Sequence, residues 1–205
     1  MGYLKYMREA WKNNSYPELN RARLIAWRKG DATVRIDRPT RIDRARAIGY
    51  RAKQGFILVR QRIMRGGRMR PRPVGGRRPK AARQYFVLDT NYQVVAEQRA
   101  GDKYPNCEVL GSYYLNQDGK NYWYEVVLVD KAHPVILADP RISWIAQPQH
   151  KGRVYRGLTA ASRVSRGLRW KGTGTEKLRP SKAAVFRRKV HSWNSNARPR
   201  TKAHR

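Results

Sequence analysis

Residues 109–130 read VLGSYYLNQDGKNYWYEVVLVD, and this stretch decides the fold. Val109 to Leu115 has the β-branched and aromatic content of a strand. Asn116-Gln117-Asp118-Gly119-Lys120 supplies the turn, with glycine behind aspartate, and Tyr122 to Asp130 alternates well enough to be the partner strand. The hairpin is crowded by Tyr113, Tyr114, Tyr122, Trp123 and Tyr124. Two uses of those rings stay open on sequence alone: cross-strand packing within a small sheet, or a platform on which nucleic-acid bases stack.

Outward from the hairpin, Thr90 opens a helix through Tyr92, Val95, Ala96 and Arg99 that stops at Gly101. Gly55 to Met64 is rich in Phe, Ile, Leu and Val, with Arg60 and Arg62 in alternation, and predicts a strand with one basic edge or face. From Arg65 to Pro79 glycine and proline alternate with arginine, and an extended loop is expected. Upstream, Leu4, Met7 and Trp11 stand at helical spacing. Ser15 with Glu18 predicts the cap of a second helix ending near Gly30, and Thr40 with Asp43 the cap of a third ending at Gly49. Downstream, helical turns are expected over Thr159–Arg166, loop over Lys171–Pro180 and a basic helix over Ser181–Trp193. The fold class is therefore α+β, a small sheet with a β-α-β-β(hairpin) core flanked by basic helical and extended arms. Three regions follow: a basic helical region at 1–54, a core at 55–149 carrying the Arg/Gly/Pro-rich loop at 65–83, and a basic extension at 150–205.

Charge divides the chain along the same lines. The 205 residues carry 46 Lys+Arg against 14 Asp+Glu, a formal net charge of +32. Residues 1–83 hold 24 basic and 5 acidic residues, net +19; residues 84–149 are net −3; residues 150–205 hold 17 basic and 1 acidic, net +16. A nearly neutral body with cationic arms of this magnitude implies a polyanionic partner, because solubility needs far less charge. Of the basic residues 32 are arginine. The planar guanidinium pairs with phosphate and stacks on bases, which favours structured nucleic acid over a membrane surface.

Chemistry of other kinds finds no constellation. The single cysteine, Cys107, forms no internal disulfide and no cysteine-based zinc site, and suits a reducing compartment. His133, His150, His191 and His204 lack metal-ligand spacing. Gly172-Thr173-Gly174 lacks the third glycine of a dinucleotide loop. Asp37 and Asp43, set among arginines, are expected as ion-pair partners rather than a metal pair. No signal peptide, membrane span, small-molecule substrate or catalytic activity is expected. No cofactor is expected either, beyond magnesium ions that accompany RNA.

Particular runs resemble a known family. Arg38-Pro39-Thr40-Arg41, then Ala45 to Gly55 (ARAIGYRAKQG), then Arg65-Gly66-Gly67-Arg68 are similar to the archaeal/eukaryotic-type ribosomal protein fifteen of the large subunit. So are Gly111-Ser112-Tyr113, Arg156-Gly157-Leu158-Thr159 and Ser165-Arg166-Gly167-Leu168. Against the family's pattern, Ser162 stands in place of a glycine and Gln98 in place of a second glutamate. The resemblance implies a cytoplasmic component of the large ribosomal subunit, a structural protein that binds large-subunit ribosomal RNA and adjoins neighbouring ribosomal proteins. It also implies the same α+β core.

Phosphate contacts are expected from Arg60, Arg62, Arg65, Arg68, Arg70, Arg72, Arg77 and Arg78, joined by Arg51 and Lys53. On the C-terminal arm they are expected from Arg153, Arg156, Arg163, Arg166 and Arg169. Trp170 and Trp193, isolated in basic surroundings, suit base stacking or contact with a protein neighbour. The alternatives are a chromatin-type DNA architectural protein, which needs duplex preference, and a cationic module that seeks acidic protein tails.

Overall fold

The structure is a computed structural model that describes residues 2–69, 75–76, 85–86, 88–170, 172–175, 178 and 181. It divides into two compact units, Met1–Ser165 and Arg166–Arg205. In chain order the first unit contains α1 (Leu4–Lys12), α2 (Pro17–Lys29), β1 (Thr33–Ile36), α3 (Ile42–Ile48), β2 (Phe56–Met64), β3 (Arg68–Met69) and β4 (Tyr85–Phe86). These are followed by α4 (Tyr92–Lys103), β5 (Cys107–Gln117), β6 (Asn121–Asp130), α5 (Pro134–Leu137) and α6 (Ala160–Ser165). Short 3-10 turns at Ser143–Ala146 and Pro148–His150 lie between α5 and α6.

β1, β2, β6 and β5 form one antiparallel sheet in that order, with β2 and β6 in the middle. The expected core is present as β2-α4-β5-β6. Val126, Val127, Leu128 and Val129 of β6 are wholly buried. An unbroken apolar run of this kind fits a central strand covered on both faces, where alternation would leave one face wet. One face packs Leu58, Tyr113, Leu115, Trp123 and Val127 against Trp27 of α2, Ala45 of α3 and Tyr50. The other packs Val59, Val109, Val126 and Leu128 against Ala100 of α4 and Val154. Beyond the end of β6, Val129 meets Ile136, Ile142 and Ile145.

Several boundaries depart from the sequence expectations. α2 begins at Pro17, preceded by Tyr16 with no side-chain cap, because proline at the first helical position is already set for the helix. α3 begins after Arg41, not at a Thr40 cap. Asp43 in its first turn is buried, and Arg41 Nη2 donates to Asp43 Oδ2 at 3.2 Å. α4 is capped by Asn91, whose side-chain oxygen accepts from Val94 N at 2.9 Å. It runs through Gly101 to Lys103, since Gly101 there takes an ordinary helical backbone and lies against Val109. β1 was not anticipated. Where an extended loop is expected after Arg65, Arg68–Met69 pairs with Tyr85–Phe86 as a short ladder. The expected turns over Thr159–Arg166 condense into α6, and Ser162, at the family's glycine position, is buried with its hydroxyl 2.9 Å from Thr159 Oγ1, whose own proton goes to Glu97. The expected helix over Ser181–Trp193 lies, past Ser181, outside the described residues.

Two carboxylates are fully buried in the sheet layers. Glu97 of α4 accepts from Ser112 Oγ at 2.5 Å and from Thr159 Oγ1 at 2.6 Å, tying α4, β5 and the approach to α6 together. Glu125 of β6 accepts from Thr40 N at 3.1 Å and from the Tyr113 hydroxyl, which fixes the loop before α3 onto the sheet. Burial raises the pKa of both carboxyls, and hydrogen bonds oppose it. Burial, and after it the neighbouring Glu125 carboxylate, pushes the Tyr113 hydroxyl far above its ordinary range.

Candidate nucleic-acid interface

The basic residues singled out from the sequence fall into distinct environments. Arg60 of β2 stands opposite Glu125 of β6, and its guanidinium lies over the Trp27 ring at 4.8 Å. Burial lowers its pKa against the upward pull of Glu125. Arg62, two residues on and on the same face, donates from Nη1 to Arg28 O at 2.8 Å and to Trp27 O at 3.5 Å. Those carbonyls belong to the last turn of α2, where a cation meets the negative end of the helix dipole. The alternating arginines thus do form one basic face, and α2 covers it. Arg65 lies over Tyr122 at 4.9 Å and donates from Nη1 to Asp118 O at 2.6 Å, while Arg28 Nε donates to Asp118 Oδ2 at 2.8 Å. Together they fix the hairpin turn.

Arg153 is the most enclosed of the set, 9% exposed, with its guanidinium over Trp144 at 4.7 Å. Its buried Nε and Nη1 have no hydrogen-bond partner among the described residues, and burial lowers its pKa. His150 packs edge-on to the same indole, with ring centroids 4.8 Å apart, and its pKa is lowered by burial and by Arg153 and Arg156. Arg156 is exposed and donates to Lys151 O at 3.0 Å and to Gln149 O.

The remaining residues sit nearer the solvent. Arg51 is exposed, and half-buried Lys53 pairs with Asp139, which holds the Asp139 carboxyl below its usual range. Arg68 is half-buried in β3, and Arg163 is exposed on α6. In the second unit Arg166 is half-buried and Arg169 exposed. Trp170, next to it, is 71% exposed. Arg70, Arg72, Arg77, Arg78 and Trp193 lie outside the described residues. Arg38, Arg44 and Arg46, not singled out from the sequence, are exposed around α3. Their signal was available: each lies within or beside the helix whose opposite side buries Asp43 and Ala45.

The hairpin aromatics pack on one another. Trp123 meets Trp27 with centroids 5.9 Å apart, and Tyr122 meets Tyr92, Tyr114 and Tyr124 at 5.4 to 6.5 Å. Of these rings Tyr114 is the exposed member, at 40%. His133 is a helix cap, its Nδ1 accepting from Val135 N at 3.2 Å. Among the described residues no group of three or more His, Cys, Asp or Glu stands together, and no helix is long and apolar enough to cross a membrane.

The sequence model of the family described as Ribosomal L15 matches residues 2–185. The chain belongs to this family. Among ribosomal L15 relatives, a large ribosomal subunit protein eL15 from Thermoplasma volcanium is 52% identical over 179 residues, which is 85% of this chain and 91% of the relative. The protein of the same name from Picrophilus torridus is 50% identical over 180 residues, 85% of this chain and 92% of its own length. The family match spans all of the first unit after Met1 and runs into the second, so it takes in the buried Arg41 and Arg153 as well as the exposed arginines around α3.

Proposed function

We propose that this chain is a structural constituent of the large ribosomal subunit, in the cytoplasm, and that it stabilises folded ribosomal RNA beside neighbouring ribosomal proteins. The observation that carries the proposal is the likeness at about half identity across most of the length to large-subunit proteins, in a chain of net charge +32. The protein catalyses nothing and needs no cofactor beyond magnesium ions that accompany the RNA.

The arginines divide the work. Arg60, Arg62, Arg65 and Arg153 hold the body and the loop bases in place from within. Arg51, Arg68, Arg156, Arg163, Arg166 and Arg169, with Arg70, Arg72, Arg77 and Arg78, meet phosphates. Each phosphate neutralised releases counterions, so affinity falls with salt by about 0.7–0.9 logarithmic units per contact. These contacts are many and redundant, so Arg68→Ala alone has little effect on assembly. Replacing Arg65, Arg68, Arg70 and Arg72 together prevents incorporation.

The test is sedimentation of the endogenous protein from a gentle lysate across a salt series, with and without ribonuclease. Cofractionation with the large subunit that ribonuclease abolishes is the expected result. Migration with DNA, or stronger binding to duplex DNA than to folded ribosomal RNA at matched salt, would overturn it in favour of a DNA architectural role. Particle association that survives ribonuclease would instead point to an acidic protein partner.

A further inference from the structure

A cleft of about 660 Å³ opens between α1, α2 and the far end of β5. Its walls include Trp11, Asn14, Arg21, Arg28, Tyr114 and Asn116. The volume is that of a small-ligand site, since such pockets span about 300–1,000 Å³. We propose that this cleft receives a single unstacked nucleotide of a single-stranded RNA segment, its base against Trp11 and Tyr114 and its phosphate on Arg21. The inference rests on the RNA-binding reading above and adds the state of the RNA that is recognised.

The hydrogen-bonding character of the walls selects the ligand. Asn14 Oδ1 accepts from Asn20 Nδ2 at 2.8 Å, and Asn116 Oδ1 accepts from Gln117 N at 2.8 Å. One lone pair of each amide oxygen is therefore used within the protein, and each amide keeps an NH₂ group to offer a ligand. Arg21, Arg28 and the Trp11 indole N–H are donors only. Among the described residues no carboxylate lines the cleft, and Asp118 nearby is taken by Arg28. Donors thus outnumber acceptors among the polar groups of the wall, which suits a ligand rich in acceptors, such as base ring nitrogens, base carbonyls and phosphate oxygens. A peptide segment presents a backbone N–H for nearly every C=O and would leave its donors unmatched.

Aromatic faces complete the site. Trp11 already carries the Arg41 guanidinium, 4.8 Å from its ring centroid, which orients the indole. Tyr114 is held by edge-on contacts with Tyr122 and Tyr124, at 6.5 and 6.0 Å, and keeps an exposed side. Splayed bases in RNA are recognised by such stacking together with hydrogen bonds to their edges, and a base within a duplex has neither its face nor its pairing edge available.

The full-length protein is titrated with a short oligoadenylate and with an RNA duplex of matching length, in about 0.5 M salt, where phosphate contacts made elsewhere are suppressed. Tyr114→Ala is expected to weaken oligoadenylate binding about tenfold, the scale of one lost base stack, with duplex binding changed less than about twofold and Tyr114→Phe restoring wild-type affinity. Should Tyr114→Ala fail to fold, the double variant Asn14→Gly with Arg21→Ala serves. Glycine accepts the left-handed backbone of Asn14, at φ 48°, and the expected selective loss is the same. Equal loss for duplex and single strand, or no loss for either, overturns the cleft while leaving RNA binding intact. Unchanged RNA affinity with failed incorporation into large subunits overturns it too, and assigns the cleft to a protein segment. Wild-type protein that binds neither RNA at any salt overturns the RNA-binding reading itself, and the cleft with it.

Discussion

Gly55 offers a quantitative test of how the loop before β2 is locked. Its φ of +85° lies in the left-handed region, which costs an ordinary L-residue about 1–2 kcal/mol. A Cβ there would overlap Ile136 Cγ1 and lie 2.9 Å from Ile136 Cδ1 and 3.2 Å from the His133 ring. Ile136 is wholly buried among Val129, Ile142 and Ile145, so it has nowhere to go. Overfilling a packed core costs about 1–3 kcal/mol. Alanine also reduces the freedom of the unfolded chain, which returns about 0.4–1 kcal/mol. Gly55→Ala should therefore destabilise by about 1–4.6 kcal/mol. For a chain of this length each kcal/mol moves the melting temperature by about 2–4 °C, giving a fall of about 2–18 °C. Three companions separate the causes in one calorimetric series. Gly66→Ala meets the left-handed backbone, at φ +97°, with no described residue within 4 Å of the new methyl, and should lose about 1 kcal/mol. Gly111→Ala meets only crowding, 2.9 Å from Cγ2 of the half-buried Ile48, and should fall between them. Gly119→Ala meets neither and should melt with the wild type. If Gly55→Ala melts within about 2 °C of wild type, or no lower than Gly66→Ala, the packing argument is wrong.

Other expectations concern charge. Arg60→Ala, which uncovers Trp27 and leaves Glu125 without its cationic neighbour, should cost about 1–3 kcal/mol of stability. Arg51→Ala should leave stability within about 0.5 kcal/mol and reduce the salt slope of RNA binding by nearly one phosphate; denaturant midpoints and binding at graded salt read the two effects separately. Glu97→Gln should change how stability depends on pH. Because burial raises the native pKa of Glu97, its contribution is full below the ordinary 4.5 and is lost as pH rises through the raised value. The variant should gain on wild type from pH 4.5 upward, and a flat difference in melting temperature across that range would refute the assignment. Asn91→Ala, which removes the α4 cap, should cost about 1 kcal/mol by the same denaturation assay.

Local signals carried the hairpin and α4. Val126 to Val129 is an apolar run too short for a helix, Asp118-Gly119 marks a turn, and Tyr92, Val95, Ala96 and Arg99 recur at helical spacing. β1 escaped because four residues with Arg35 among them carry almost no pattern, and the strand exists only by pairing with β2. The candidate site was legible in part. Charge counting finds the arginines but gives each the same standing, since nothing near Arg60 in sequence announces that Trp27 and Glu125 will enclose it. Glu97 illustrates the converse. In the chain it reads as an ordinary polar helix residue, and its burial is set by Ser112 and Thr159, which arrive from distant segments.

Arg41, Arg46, Arg60, Arg65 and Arg153 all lie against aromatic rings, those of Trp11, Tyr3, Trp27, Tyr122 and Trp144. A carboxylate partner offsets the charge it positions, as Asp43 does for Arg41, whereas the Tyr3 ring positions the exposed Arg46 guanidinium and leaves its charge undiminished. A ring takes the guanidinium without using its N–H groups, which are what grip phosphate. A flexible arginine gives up rotational freedom when it docks, but one already held by an indole or phenol gives up little. Under the proposed assembly onto RNA, the chain thereby enters with part of its ordering complete.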